Sequence, residues 1–141
     1  KTPPHSVDAD ASDTEALHPA SLVGDYLTAM EKRELDKARR FLADKFVMNF
    51  PGSGEMRSLD QLLEWSASRY RYVEKTLASV NVAHESDKAV VFVHGTLSGQ
   101  WPDGTSFEQI RFIDRFEIRD ERIERQDVWN DLAIAMPQAT T

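Results

Sequence analysis

The spacing of apolar residues changes along the chain, and this change limits the folds that the chain can adopt. In the first half, apolar side chains recur at three- and four-residue steps, which is typical of amphipathic helices. In the second half they alternate or run continuously between short polar breaks, which predicts strands joined as antiparallel hairpins. The helical segments are 21–30, 35–44 and 59–70, and the strand segments are 73–83, 89–97, 107–118 and 123–128. The pattern predicts an α+β fold with three helices on the concave face of a strongly bent, mostly antiparallel sheet.

Local signals place the boundaries of the predicted elements before residue 73. Ser21 is a candidate N-cap for the first helix, and the second helix is expected to end near Asp44. A short β-prone run, 46–50, predicts a first strand that the breakers at 51–54 stop. Ser58-Leu59-Asp60-Gln61 has the spacing of a capping box, so a third helix should begin there. Within the later strands, bulges that bend the sheet are expected at Gly95, Gly99 and Gly104.

The length of 141 residues is typical of one domain. Residues 1–18 are rich in Pro, Asp, Ser and Ala without an apolar period, so we predict a flexible N-terminal arm. The domain itself is predicted to span 19–135, and 136–141 to form a C-terminal tail.

Composition and charge argue against several classes of function. A net charge of -7 disfavours a nucleic-acid partner, which needs a concentrated basic surface. The chain has no cysteine, and its four histidines lack ligand spacing, so neither a metal nor any other cofactor is expected. No apolar run is long enough to span a membrane. We expect a soluble, cytoplasmic protein, unless an export signal preceded Lys1.

Asp114 is the strongest candidate for a residue that carries chemistry. Strand alternation puts it on the same face as Phe112 and Phe116, so its carboxyl is expected to point inward. Apolar surroundings disfavour the charged form and prepare the group to donate a hydrogen bond or a proton. The structural alternative is an aspartate paired with a buried arginine or with backbone N–H groups. If Ile118 faces Ile123 across the last hairpin, a regular register brings Asp114 opposite a second carboxyl.

That second carboxyl is Asp127, and paired carboxyls suit general acid and base work because one tends to hold a proton. A single bulge would turn Asp127 outward, and Arg125 is an alternative, purely structural partner. Tyr26 lies on the apolar stripe of the first helix and is expected to project its phenol into the same cavity. His94 lies in a strand and faces either the pocket or solvent.

Aromatic side chains are expected to line the substrate-binding surface, although core or interface packing is the alternative. The candidates are Phe50, Trp65, Tyr70, Phe112, Phe116 and Trp129. Arg111 and Arg115 have the opposite strand parity to Asp114 and are expected on the outer sheet face. Ile113 and Val128 would supply an apolar centre on that face, through which we expect a homodimer.

The order of elements and several short strings resemble the NTF2-like superfamily, which includes SnoaL-type polyketide cyclases and ketosteroid isomerases. The similarity covers most of residues 20–132. The strings are Leu22-Val23-Gly24-Asp25-Tyr26-Leu27, Glu34-Leu35-Asp36, Phe41-Leu42-Ala43-Asp44, Ile113-Asp114-Arg115-Phe116-Glu117-Ile118 with Arg122-Ile123, and Asp127-Val128-Trp129-Asn130-Asp131. The resemblance implies a cone-shaped domain that encloses an apolar pocket for a small molecule.

The resemblance also implies roles for the candidate residues. In ketosteroid isomerases a tyrosine matching Tyr26 and a protonated aspartate matching Asp114 hold the enolate oxygen. The catalytic base of those enzymes is matched by Phe50, which cannot accept a proton, so that mechanism is not expected here. SnoaL-like cyclases resemble the chain through an aspartate at position 114 that acts as the acid or base.

Three functions stay open on the sequence alone. The first is cofactor-free acid–base catalysis of isomerase, cyclase or lyase type on an apolar carbonyl or polycyclic substrate. The second is a module that binds a small apolar ligand without turnover, which Phe50 favours. The third is a dimeric scaffold whose pocket is filled by side chains.

Overall fold

The computed structural model describes the backbone of residues 7–136 and the side chains of residues 18–136. The helices are α1 (Val7–Glu31), α2 (Leu35–Arg39), α3 (Leu59–Ser66) and α4 (Leu132–Ala135). The strands are β1 (Leu42–Phe50), β2 (Gly54–Met56), β3 (Tyr72–Glu85), β4 (Lys88–Gln100), β5 (Ser106–Arg119) and β6 (Arg122–Asn130). The predicted α+β order is confirmed: two helices and a first strand come before the third helix, and a series of long strands follows it. No helix among the described residues is both long and apolar enough to cross a membrane.

The six strands form one curved sheet in the order β2-β1-β6-β5-β4-β3. The strands β3 to β6 are joined as antiparallel hairpins, as their short polar breaks predict. The first strand, β1, pairs with β6 in parallel, a long-range pairing that the sequence did not indicate. The short strand β2 pairs with β1 where a loop was expected. The sheet is therefore mostly antiparallel, with one parallel ladder between its first and last long strands.

The hydrophobic core lies between the concave face of the sheet and the helices. It contains apolar side chains from α1 and α3 together with the inward residues of β4, β5 and β6. Its members include Leu22, Val23, Leu27, Leu59, Leu62, Val91, Val93, Phe112, Phe116 and Ile123. This single core supports the sheet along most of its length and leaves one end open for a cavity.

Two predicted helix boundaries are wrong. Ser21 lies inside α1 and is not its N-cap, because residues 7–18 contain neither Gly nor Pro and the helical backbone continues through them. The second helix stops at Arg39 instead of near Asp44, and Leu42 already pairs with β6. The flexible arm predicted for 1–18 stays a prediction, since its first six residues lie outside the described residues. The tail beyond residue 136 lies outside them too.

The capping signal at the start of α3 is confirmed. Ser58 adopts an extended backbone and its Oγ accepts a hydrogen bond from the backbone N–H of Gln61 at 3.1 Å. The Gln61 side chain reaches back one residue further than a standard capping box, because its Oε1 accepts from the N–H of Arg57 at 2.5 Å. Both contacts hold α3 at a fixed angle over the concave face.

Two of the three glycines expected at bulges lie at register shifts. The β3–β4 ladder shifts between Leu77 and Ser79, opposite Gly95, and the β4–β5 ladder shifts between Leu97 and Gly99. A Cβ at Gly95 would overlap the carbonyl oxygen of Thr76, so only glycine allows this close approach. The expectation for Gly104 is wrong, because it lies in the turn after β4 with a φ of +91°.

A third register shift, in β6, changes which side chains face the core. Ile118 pairs with Ile123 as predicted, but the ladder then shifts so that Glu117 pairs with Arg125. Asp114 consequently pairs with Val128, not with Asp127. An extra residue in a strand reverses the facing of every residue beyond it.

Candidate functional site

A cavity of about 170 Å³ opens at the end of the concave face, between α1, α3, α4 and the sheet. Five of the predicted aromatic and phenolic side chains line it: Tyr26, Phe50, Trp65, Tyr70 and Phe112. The rings of Phe50 and Trp65 lie 5.6 Å apart at their centroids and form one wall. Leu132 and Met136, after β6, add an apolar edge, although Met136 was assigned to the C-terminal tail. The cavity therefore combines apolar walls with few polar groups.

Asp114 lies on this cavity with 0% exposure, so its predicted inward orientation is confirmed. Its environment differs from the one expected. The Nζ of Lys75 lies 2.5 Å from Asp114 Oδ2 and is itself only 14% exposed on the side chain. The Nε2 of Gln126 donates to the same oxygen at 3.4 Å. In place of wholly apolar surroundings, the Asp114 carboxyl thus forms a buried ion pair with Lys75.

The lysine is held at both ends, at its backbone N–H and at its ammonium. Its backbone N–H donates to Glu31 Oε2 at 2.9 Å, which ties β3 to the end of α1. Its ammonium lies 5.0 Å from the centroid of the Phe112 ring, a distance at which the ring face attracts a cation. The ammonium is therefore fixed at the floor of the cavity beside Asp114.

Two buried side-chain atoms among the described residues have no hydrogen-bond partner, and both belong to residues that line this cavity. They are Asp114 Oδ1, an acceptor, and Trp65 Nε1, a donor. Buried polar groups are almost always satisfied in folded proteins, so each such atom calls for an explanation.

Tyr26 lies on the wall of the same cavity, as predicted from the stripe of the first helix, with 1% exposure. Burial raises the pKa of its phenol above the ordinary value, and the negative charge of Asp114 raises this pKa further. The hydroxyl consequently stays protonated at neutral pH and is suited to donate a hydrogen bond. Its ring packs edge-on against Phe116, with centroids 6.2 Å apart.

Four candidate residues are not in this cavity. Asp127 faces the outer side of the sheet because of the β6 bulge, and it accepts from Arg125 Nε at 2.9 Å. Trp129 shares that side and is 52% exposed. His94 pairs with Ile113 on the outer face, and its Nδ1 lies 3.3 Å from Ser79 Oγ. Phe116 is fully buried in the core behind Tyr26 and does not line the cavity.

The paired carboxyls expected at positions 114 and 127 are therefore wrong. A shallow groove on the outer face does collect His94, Asp127 and Trp129. Its carboxylates are engaged by arginines, since Asp127 pairs with Arg125 and Asp131 pairs with Arg111. This groove lacks the buried, unsatisfied polar atoms that distinguish the cavity.

The outer face carries Arg111 and Arg115 as predicted, but its apolar centre differs. Val128 is buried opposite Asp114, so the exposed apolar residues are Ile113 and Trp129. The bulge that moves Asp127 outward also exchanges Val128 for Trp129 on this surface. Self-association through this face stays a prediction.

If the outer face does form a homodimer, Trp129→Glu should dissociate it, because a charge would then lie at the apolar centre of the interface. Sedimentation velocity of the wild type and the variant measures the change. Glu121→Gln, on the exposed turn between β5 and β6, is the control and should leave the mass unchanged. A wild type that sediments as a monomer at all concentrations would contradict the prediction.

The mouth of the cavity carries three charged groups that the sequence analysis did not single out. Glu31, Arg33 and Arg69 all line it, and the guanidinium of Arg69 stacks on the Trp65 ring at 4.2 Å. Burial raises the pKa of the neighbouring Tyr70 above its ordinary value, and the positive charges of Arg33 and Arg69 partly oppose this. The two guanidinium groups therefore act on the same part of the mouth.

Lys75 and Gln126 are the most important residues that sequence reasoning missed. Lys75 has the same strand parity as Val73, which packs against the core, so alternation could have placed it inward. Gln126 follows the β6 bulge, and no residue type in that segment marks a bulge. Gln126 lies between the charged residues Arg125 and Asp127, and nothing in the sequence indicated that its side chain would face the core.

Comparison with known proteins identifies the fold and the family. A hexachlorocyclohexane dehydrochlorinase LinA-type3 from Novosphingobium barchaimii superimposes with a TM-score of 0.69 at 16% identity, over 88% of this chain and 90% of that chain. An NTF2-like protein of unknown function from Burkholderia pseudomallei gives 0.68 at 15% identity, over 84% and 94%. TerC, co-crystallised with polyporic acid, gives 0.66 at 15% identity, over 84% and 95%.

No functionally curated protein matches the sequence significantly. The family model for the SnoaL-like domain matches residues 23–126, which include α1 from its middle onward, the whole cavity floor and most of the sheet. The predicted resemblance is thereby confirmed. The chain belongs to the SnoaL-like domain family, and it has the fold of NTF2-like proteins.

Proposed function

We propose that the protein is a cofactor-free acid–base enzyme that forms an enolate from a small apolar carbonyl compound. The observation that carries the proposal is the unsatisfied Oδ1 of Asp114 at the floor of an apolar cavity, with Lys75 paired to the other oxygen. A carboxylate with one free oxygen is able to accept a proton there. The family supports small-molecule enzymes and binders, which is consistent with this chemistry.

In the proposed reaction the substrate displaces the side chains that cover Asp114 Oδ1, which have to move because this atom has almost no accessible surface. Oδ1 then takes a proton from the carbon next to the carbonyl. The C–H bond breaks, an O–H bond forms on Asp114, and the electron pair moves to the carbonyl oxygen. The Tyr26 hydroxyl and the Lys75 ammonium are the hydrogen-bond donors that stabilise the negative charge on the enolate oxygen. Asp114 then returns the proton to another carbon, or the enolate expels a leaving group or attacks a second carbonyl.

The volume of the cavity bears on the size of the substrate. A cavity of about 150 Å³ lined by apolar side chains is large enough for benzene. The cavity of about 170 Å³ therefore favours a compound with one ring over the polycyclic alternative. A longer molecule would need to extend through the mouth between α1 and α3.

Solvent-deuterium exchange tests the proposal without knowledge of the natural substrate. Incubation of acetophenone or cyclohexanone with the protein in D2O should introduce deuterium next to the carbonyl faster than buffer does. Asp114→Asn should reduce the enzymatic rate by about a hundredfold or more, because it removes the proton acceptor. Proton NMR of the ketone measures the rate.

The matched control is Asp127→Asn, which removes a carboxylate of the same sheet that faces away from the cavity. Its exchange rate should equal that of the wild type. If the wild type does not accelerate exchange of either ketone, or if the two asparagine variants behave alike, the enzymatic proposal fails.

A binding module without turnover is the second candidate. Phe50 supports it, since the position that carries the base in ketosteroid isomerases is aromatic here and lines the cavity. Binding of a ketone to both wild type and Asp114→Asn, with exchange in neither, is the result that this alternative predicts.

A further inference from the structure

The charges on the cavity do not cancel, although the protein as a whole is acidic. Asp114 is paired with Lys75 at the floor. Glu31 accepts a hydrogen bond from the backbone of β3 and forms no ion pair with an arginine. Arg33 and Arg69 also line the cavity, and neither has a carboxylate within ion-pair distance among residues 18–136. In a chain with a net charge of -7, two such guanidinium groups at one mouth are unexpected.

The backbone of Arg33 and the side chain of Arg69 are each held by a local contact. Arg33 lies in the turn after α1 with a positive φ of 60°, and its N–H donates to Met30 O at 3.1 Å, so its side chain starts beside the cavity. Arg69 follows α3, and its guanidinium plane lies against the Trp65 ring at 4.2 Å. Stacking occupies the face of a guanidinium and leaves the N–H groups on its edge available to an acceptor.

Trp65 adds a third donor at the same wall. Its Nε1 is buried and has no acceptor among the described residues. A buried N–H without an acceptor costs free energy comparable to a lost hydrogen bond, which a ligand acceptor would recover. The two guanidinium groups outnumber the single carboxylate at the mouth, Glu31, and their N–H edges suit an anion with planar oxygens.

We infer that the natural substrate carries a carboxylate, which Arg33 and Arg69 bind at the mouth while its carbonyl group lies at the floor beside Lys75 and Asp114. This inference rests on the proposed function for the position of the carbonyl. It narrows the substrate class to small, single-ring keto acids. The exposed mouth and the buried floor then bind opposite ends of one molecule.

Calorimetric titration with matched acids and amides tests the inference. The probes are para-acetylbenzoate against para-acetylbenzamide, and the oxocyclohexane carboxylate against its amide, which differ in charge but little in shape. The wild type should bind each acid about ten- to hundredfold more tightly than its amide, since hydrogen bonds to a charged group are the strong ones. The preference should fall as the salt concentration rises.

Variants locate the effect at the mouth. Arg69→Gln and Arg33→Gln should each reduce the preference for the acid about tenfold, and Arg69→Lys should retain part of it because the charge is kept. Arg40→Gln, on the exposed end of α2 and away from the cavity, is the control and should change nothing. The inference would be overturned if acid and amide bound equally or if neither acid bound. It would also be overturned if the preference for the acid survived the double change Arg33→Gln/Arg69→Gln.

The outcome separates this inference from the proposed function. Asp114→Asn should lose the exchange of acetophenone but keep the preference for the acid. If acetophenone exchange depends on Asp114 and the preference is absent, only the carboxylate inference fails. If the preference is present and the exchange is absent, the acid–base proposal fails and a binder of organic acids is left.

Discussion

Replacement of Lys75 by methionine is expected to lower the free energy of unfolding by about 3 kcal/mol or more, because it leaves the Asp114 carboxylate buried without a counterion. Asp114 has no exposed surface that water could reach. Gln126 alone, at 3.4 Å, is a weak substitute for an ammonium. Methionine fills a similar volume, so the loss is expected to come from charge and not from a new void.

Replacement of Asp114 should lower the free energy of unfolding less than replacement of Lys75 does. Asp114→Asn leaves a lysine whose side chain is 14% exposed and flexible, so its ammonium can shift toward the mouth and regain water. We expect this variant to lose about 1 to 2 kcal/mol. The double variant Lys75→Met/Asp114→Asn should recover most of the stability that Lys75→Met loses, since no buried charge is left.

Urea denaturation of the four proteins measures this cycle. A coupling free energy above about 1.5 kcal/mol would agree with a buried pair, whereas exposed pairs give less than about 1 kcal/mol. Additive losses, or a Lys75→Met variant as stable as the wild type, would contradict the buried ion pair. The double variant should be stable and inactive, which separates the role in chemistry from the role in folding.

Replacement of Gly95 by alanine is the second change with a large expected effect. The added Cβ would overlap the carbonyl oxygen of Thr76 and lie 3.0 Å from the backbone nitrogen of Ala78. Both neighbours belong to the backbone of β3, so relief requires the two strands to separate. We expect a loss of about 3 kcal/mol or more in the free energy of unfolding.

The same change should also affect the cavity, because the bulge at Gly95 sets the facing of β3. Val73 and Val82 both pack against the core. They are nine positions apart, and in a regular strand residues at an odd spacing face opposite sides. The extra residue at Ala78 resolves this conflict and lets Lys75 face Asp114. Gly95→Ala is therefore expected to lose ketone exchange as well as stability.

Gly24→Ala is the matched control for the glycine change. Gly24 lies within α1, and a Cβ there would meet no atom within 4 Å. Alanine should stabilise the helix by about 0.5 to 1 kcal/mol, because glycine has the larger backbone entropy to lose. Thermal unfolding followed by circular dichroism measures both variants. A Gly95→Ala protein with the melting temperature of the wild type would show that the β3 bulge is not needed.

The sequence predicted those features that depend on local pattern. Strand alternation placed Asp114 inward because Ile110, Phe112, Phe116 and Ile118 share its parity, and all four are buried in the structure. The helical stripe placed Tyr26 on the same cavity. The Ser58 cap and the hairpin order followed from short-range signals that packing did not override.

The sequence did not predict features that depend on one inserted residue or on distant pairing. The β6 bulge exchanges Asp127 and Trp129 for Gln126 and Val128 on the inner face, and nothing in its composition marks it. For His94, apolar neighbours on both sides left its facing open until pairing with Ile113 fixed it outward. The parallel ladder between β1 and β6 joins segments about eighty residues apart and has no local signature.

A crystal structure with para-acetylbenzoate bound would show whether the Lys75–Asp114 pair forms the working floor of the cavity. We expect the ketone oxygen within hydrogen-bond distance of Lys75 Nζ or the Tyr26 hydroxyl, and the methyl carbon beside Asp114 Oδ1. A compound bound on the outer face, or an Asp114 side chain turned away from Lys75 toward solvent, would contradict the account.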